Sequence, residues 1–152
     1  MTKPTEHRPG AVAYLMVRNA AAAIEFYKDA FGAVEKMRFP APGDRIGHAE
    51  IEIDGGRVFL ADEWPDIGVQ SPFQLGGTTV TVCVYVKNVD AFARRAEATP
   101  GLKVLRPLSD QFYGERSVNY QDPFGHVWNF STITEELTPE EMMKRMESAK
   151  VS

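Results

Sequence analysis

The chain has 152 residues, of which 43% are hydrophobic and 25% charged, a globular composition that excludes a fibre or a disordered tail. A net charge of −4 and a pI of about 5.4 argue against a nucleic-acid partner, and no apolar run is long enough to cross a bilayer. One cysteine, Cys83, and three histidines, His7, His48 and His126, exclude an internal disulfide and a cysteine-rich zinc site.

The residues 1–10 are polar and lack the apolar core of a secretory signal, which together with the unpaired cysteine points to the cytoplasm. Residues 11–17 read as a strand, with Ala13, Leu15 and Val17 on one face and Val12, Tyr14, Met16 and Arg18 on the other. Asn19 suits a helix N-cap. The helix that follows lines one face with Ala20, Ile24, Tyr27 and Phe31 and stops at Gly32. Three strands come next, at about 34–39, 47–53 and 57–62. Asp54-Gly55-Gly56 makes the turn between the last two, because glycine accepts positive φ.

Residues 65–77, rich in Gly, Pro and Ser, read as a linker. The pattern then repeats. A strand at 79–86 leads to the N-cap Asn88 and a helix faced by Val89, Phe92, Ala93 and Ala96, ending near Pro100-Gly101. Strands follow at about 103–107, 116–121 and 126–132, with Trp128 and Phe130 turned inward and Val127, Asn129 and Ser131 outward. The copies are offset by 69 residues, as in Asn19 to Asn88 and Val58 to Val127. Thr138-Pro139-Glu140-Glu141 is a capping box with proline at the first helical position. It opens a terminal helix at about 138–149, whose Met142, Met143 and Met146 form an apolar side suited to docking on the body or on a second subunit.

The expected fold is therefore α+β, one domain over 1–152. Two βαβββ modules, at about 11–64 and 78–132, form a curved, mixed eight-stranded sheet with a cleft. Each helix covers one sheet face, so the other must be covered by the partner module, a second subunit or a ligand.

Two segments carry a family resemblance. Ala23-Ile24-Glu25-Phe26-Tyr27-Lys28-Asp29-Ala30-Phe31-Gly32 is similar to the first-helix signature of the vicinal oxygen chelate superfamily. That superfamily holds glyoxalase I, the bleomycin and fosfomycin resistance proteins and the extradiol dioxygenases. Gln121-Asp122-Pro123-Phe124-Gly125-His126 resembles its turn before the last strand. Gly47-His48-Ala49-Glu50, Leu60-Ala61-Asp62-Glu63, Phe112-Tyr113-Gly114 and Leu137-Thr138-Pro139-Glu140-Glu141 resemble its PhnB-like subgroup. The resemblance implies four metal-ligand positions in the cleft, which fall on Val12, Leu60, Thr81 and Asn129. Valine and leucine have no donor atom, and threonine with asparagine is a poor set for a divalent transition metal. No cofactor is expected at the usual place. A relocated divalent metal on His48, Glu50, Glu52 and Asp62 or Glu63 is the alternative.

Expected ligand contacts are Tyr14, Met16, Arg18, His48, Asp62, Trp64, Tyr85, Phe112, Tyr113, Arg116 and Asn129, a mixed apolar lining with a few polar groups. Their competing reading is plain core or dimer interface. His48, Glu50, Asp62 and Glu115 are the acid–base candidates. His126 reads as a structural, hydrogen-bonded histidine, and Cys83 as a buried, inert thiol, since its strand carries no cation before Lys87. Two functions remain open. One is a metal-free binding protein for a small organic ligand, as in the resistance members of the family. The other is a lyase, isomerase or dioxygenase that uses a relocated metal or the carboxylates. The expected partners are a small molecule and a second copy in a homodimer, with neither nucleic acid nor membrane.

Overall fold

The computed structural model describes residues 2–5, 7–8 and 10–151. Met1, Glu6 and Pro9, part of the polar N-terminal stretch, and Ser152 lie outside the described residues. The first module runs β1 (Tyr14–Val17), α1 (Ala20–Phe31), β2 (Val34–Ala41), β3 (Arg45–Ile53) and β4 (Gly56–Asp62). The second runs β5 (Thr81–Tyr85), α3 (Val89–Glu97), β6 (Lys103–Asp110), β7 (Glu115–Gln121) and β8 (Val127–Ile133). The segment between them carries a 3-10 turn, Pro65–Ile67, and a one-turn helix α2, Pro72–Leu75, and α4 (Pro139–Val151) closes the chain.

Local chemistry sets the boundaries. Asn19 caps α1 by accepting from the Ala22 N–H, and Gly32 ends it with φ 65°. Asn88 repeats the first cap on the Ala91 N–H. Asp54 and Gly55 both take positive φ between the paired Ile53 and Gly56, which makes a two-residue hairpin turn. The eight strands form two four-stranded sheets, ordered β1-β4-β3-β2 and β5-β8-β7-β6, with the first strand of each sheet parallel to its neighbour.

One face of each sheet packs on helices. Leu15, Val17, Ile51, Ile53, Val58 and Leu60 are buried in the first sheet, and Val118, Tyr120, Trp128 and Phe130 in the second. Helices α1 and α3 also pack on each other, so both modules share one core. Phe31 of α1 stacks on Phe92 of α3 and reaches Trp128 and Phe130 of β8. Arg95 of α3 donates to the carbonyls of Lys28 and Asp29 at the end of α1, where cations suit the helix dipole.

The opposite faces are open. Tyr14, Phe39 and Tyr85 are exposed there, and Cys83 is exposed rather than buried, because its edge strand β5 has no layer over its outer side. The capping box of α4 forms as expected, Thr138 and Glu141 exchanging side-chain bonds to backbone N–H groups. None of the described α4 side chains is buried; Met142 and Met146 are half-covered and Met143 is exposed. No helix among the described residues is long and apolar enough to cross a membrane.

Candidate functional site

Strand alternation builds the site on the open face of the first sheet. Tyr14 of β1 pairs with Phe59 of β4, Phe59 with Glu50 of β3, and Glu50 with Met37 of β2. These four form one row of side chains across the sheet. His48, two residues before Glu50, shares their face. The Tyr14 hydroxyl lies 2.6 Å from His48 Nδ1, and His48 Nε2 lies 3.1 Å from Glu50 Oε2. Arg57 donates to the other Glu50 oxygen at 3.1 Å.

The order of donors follows from this chain of contacts. A carboxylate only accepts, so His48 carries its proton on Nε2 and Nδ1 accepts from the Tyr14 O–H. The Tyr14 oxygen then has acceptor lone pairs that no hydrogen bond among the described residues uses. Burial first, and then the Glu50 charge, raises the Tyr14 phenol above its usual range, so the hydroxyl keeps its proton at neutral pH. Phe39 stacks against His48 and Phe59 meets it edge-on. Two aromatic walls therefore hold the imidazole.

Tyr14 and Met16 border two hollows. One of about 340 Å³ is also lined by Ile46, Asp62, Trp64 and Val69. The other, about 520 Å³, is also lined by Gln70, Pro72, Thr79 and His126. Arg45 lies over the Trp64 ring at 4.7 Å, a cation–π contact at the rim of the smaller hollow. His126 is a nearly buried structural histidine that bonds the Met16 carbonyl through Nε2 at 2.9 Å.

A second group of expected contacts gathers on the other sheet. The Tyr85 hydroxyl donates to Glu115 at 2.7 Å, and this bond, ahead of burial, raises the Tyr85 phenol above its usual range. Phe112 and Tyr113 meet edge-on in the β6–β7 turn. Ser131, Asn129 and Asn119 form a hydrogen-bonded line.

Three expected ligand contacts are tied to the protein itself. The Asp62 carboxylate accepts from the backbone N–H groups of Ala20 and Ile46 and so braces the start of α1. Arg18 pairs with Glu63, which also accepts from the Ser71 hydroxyl, and lies over Phe73. Arg116 holds Asp90 and Asp110, and its contact with Asp90 keeps that carboxyl below its usual range. Phe59, Arg57 and Phe39 around His48 escaped the sequence reading, although the alternation of β2 and β4 carries the signal for Phe39 and Phe59.

The four metal-ligand positions that the resemblance implies shift by one residue in β4. Leu15 pairs with Leu60 as Val84 pairs with Phe130, and Tyr14 with Phe59 as Cys83 with Asn129. Tyr14 and Cys83 are 69 residues apart, but Phe59 and Asn129 are 70 apart. The cause is the turn: four residues separate the paired Glu52 and Arg57, five the paired Gln121 and Val127. A slip of one residue turns a strand side chain to the other face, so Leu60 belongs to the core, fully buried, and Phe59 takes its place on the open face. The donor set becomes Val12, Phe59, Thr81 and Asn129. These residues do not fit a divalent metal, since none brings an imidazole, carboxylate or thiolate. Among the described residues no group of three or more His, Cys, Asp or Glu side chains is arranged to hold one elsewhere.

Two βαβββ modules, each leaving one sheet face free of helices, define the fold class. Residues 8–130 match the family model described as "Glyoxalase/Bleomycin resistance protein/Dioxygenase superfamily". The chain belongs to that superfamily. It is 40% identical over 143 residues to an uncharacterized protein of Mycobacterium bovis, covering 92% of this chain and 93% of that one. Among solved structures it is similar to TioX from Micromonospora sp. ML1, with 27% identity, a TM-score of 0.66 and coverage of 86% and 100% of the two chains. The fosfomycin resistance protein FosX of Listeria monocytogenes shares the fold at 15% identity and a TM-score of 0.62, with 91% and 99% of the chains covered.

Proposed function

We propose that the chain is a binding protein for a small organic molecule, of the glyoxalase/bleomycin-resistance type and without the family's metal. The observation that carries this reading is the wall formed by Tyr14, Met16 and Trp64 around a hollow of about 340 Å³, beside the Tyr14 hydroxyl held by His48, which Glu50 holds in turn. Apolar walls with one oriented polar group are the usual make-up of such sites. We place the chain in the PhnB-like subgroup and in the cytoplasm on the sequence segments and the single cysteine given above. A second copy is the proposed cover for the open faces, where Tyr14, Phe39 and Tyr85 leave apolar rings in water.

The test is a thermal-shift and calorimetric screen of small molecules. A ligand that raises Tm without being turned over is the expected result, and His48→Ala should weaken it at least tenfold. Unchanged affinity in that variant would show that the site lies elsewhere. Protein purified without chelators should hold less than about 0.2 metal per chain and show no Tm shift with Zn²⁺, Ni²⁺ or Mn²⁺, since a bound ion must stabilise the folded state.

One observation favours a second reading. In the line Tyr14–His48–Glu50 a proton leaving the phenol would pass to an imidazole braced by a carboxylate, the order of groups that activates a hydroxyl in covalent and acid–base catalysis. Turnover of a screened ligand that is lost in Glu50→Gln, with binding kept, would select this reading over simple binding.

A further inference from the structure

The larger hollow, of about 520 Å³, lies between the modules rather than over one sheet. Three parts of the chain wall it: β1 through Tyr14 and Met16, the connecting segment 70–79, and His126 at the end of the turn before β8. Fixed contacts hold these walls together. Ser71 is fully buried and gives its hydroxyl to Glu63. The turn touches α2, since a Cβ on Gly125 would lie 2.7 Å from Pro72.

His126 is the unusual member. It is only 9% exposed. The Met16 carbonyl beside its Nε2 can only accept, so that nitrogen carries the ring proton. In the neutral imidazole Nδ1 is then an acceptor. Nδ1 has no hydrogen-bond partner among the described residues. It is not sealed in either, because Arg106 Nε is the one fully buried side-chain nitrogen or oxygen among them that lacks a partner. The Nδ1 lone pair is therefore open at the wall of the hollow.

The other walls say what would use it. None of the residues lining the hollow is Asp, Glu, Lys or Arg, whereas the corresponding groove along β5, about 530 Å³, is lined by Asp54 and Arg57. A charged ligand would lose hydration here and gain no counter-charge. The Gln70 and Thr79 side chains also have no hydrogen-bond partner among the described residues, and each can donate or accept. A hydroxyl is the group that donates to Nδ1 while accepting from such a neighbour. Tyr14, Pro72 and Leu75 offer apolar surface for the remainder of the molecule.

We infer that this hollow is a second binding site, for a neutral ring compound bearing a hydroxyl, with the O–H donating to His126 Nδ1. The site is distinct from the Trp64 hollow and does not rest on the function proposed there.

The test titrates ¹⁵N-labelled protein with phenol, using anisole, which has no O–H, and benzoate, which is charged, as controls. At about pH 8 histidine, ordinarily about 6.5, is neutral and phenol, about 10, is not ionised. Long-range imidazole spectra report Nδ1 directly, and the backbone amides of Gly76 and Gly77 report occupancy in every variant. Expected is a saturating shift of His126 Nδ1 with phenol and at least tenfold weaker binding of both controls. His126→Gln keeps an amide N–H for the Met16 carbonyl but removes Nδ1, so it should fold and lose phenol affinity at least tenfold. A histidine with only a structural role would leave that affinity unchanged. An Nδ1 resonance that stays fixed up to ~10 mM phenol, which detects even millimolar affinity, overturns the inference, as does equal affinity for anisole or in His126→Gln. If His126→Gln fails to fold, the wild-type difference between phenol and anisole still decides. Phenol that moves the Trp64 indole resonance while His126 stays fixed overturns this site and leaves the proposed binding function standing.

Discussion

Asp122 shows how much one side chain carries in this fold. It is almost fully buried and takes four donors: the Tyr27 hydroxyl at 2.6 Å, the Trp128 indole at 2.9 Å, and the N–H groups of Phe124 and His126. The first two lie on different modules, so one carboxylate ties α1 to β8. Burial first, and then the Asp122 charge, pushes the Tyr27 phenol well above its usual range, so that phenol remains a donor. Asp122→Ala strands both buried donors, each at a cost of about 1–3 kcal/mol, and the expected loss is about 3 kcal/mol or more in urea unfolding. Asp122→Asn keeps one acceptor oxygen and should fall between the variant and the wild type. Glu35 behaves differently because it lies near the surface. The bond from Arg38 holds its carboxyl at about 2, against an ordinary 4.5. A depressed carboxyl stabilises the fold above its unfolded value and loses that support as pH falls through the folded one. Stability should therefore drop between about pH 4.5 and 2, and Glu35→Gln should flatten that limb of the acid-unfolding curve. An NMR titration midpoint for Glu35 near 4.5 would refute this.

The turns between strands decide which side chains meet. Gly114, in the β6–β7 turn, has φ +84° and accepts from the Thr134 and Glu135 N–H groups through its carbonyl. A Cβ there would lie 2.5 Å from the Glu135 carbonyl oxygen. Gly114→Ala therefore meets both a disfavoured backbone and a clash with main chain, and should cost about 2–3 kcal/mol in thermal or urea unfolding. Turns also explain what was legible in the sequence. The strands, both long helices and their asparagine caps were readable because period and capping chemistry are local. The Tyr14 and His48 positions followed from alternation. The β4 face did not, because the single extra residue in the turn Asp122–His126 has no local signature. It surfaces only as a change of pairing between Glu52–Arg57 and Gln121–Val127. The roles of Asp62, Arg18 and Arg116 were hidden because their partners lie far away in sequence, such as the Ala20 N–H for Asp62 and Asp90 for Arg116.

At the scale of the whole molecule, the two modules are copies in topology but not in independence. Helix α1 covers its own sheet and also packs on the second module: Tyr27 meets Trp128, and Phe31 meets Phe92, Trp128 and Phe130. Cutting the chain in the linker would expose both sides of that contact at once. A fragment 78–152 would lose the rings that cover Trp128 and Phe130, and a fragment 1–77 would open the buried faces of Tyr27 and Phe31 to water. Each half, of 77 and 75 residues, is at the size where a single core supplies only about 3–5 kcal/mol, too little to make good this loss. Each fragment should therefore lack a cooperative transition, while the full chain unfolds in one step. Trp64→Phe leaves Trp128 as the only indole, so its fluorescence reports the second module while circular dichroism reports the whole chain. The two urea curves should superimpose. Phe31→Ala creates a cavity at the joint and should lower stability by about 3–5 kcal/mol. Because the joint belongs to both modules, the curves should shift together and stay coincident. Separated curves, with the Trp128 transition left at its wild-type midpoint, would mean that each module folds alone and that the shared aromatic cluster is only a contact between finished parts.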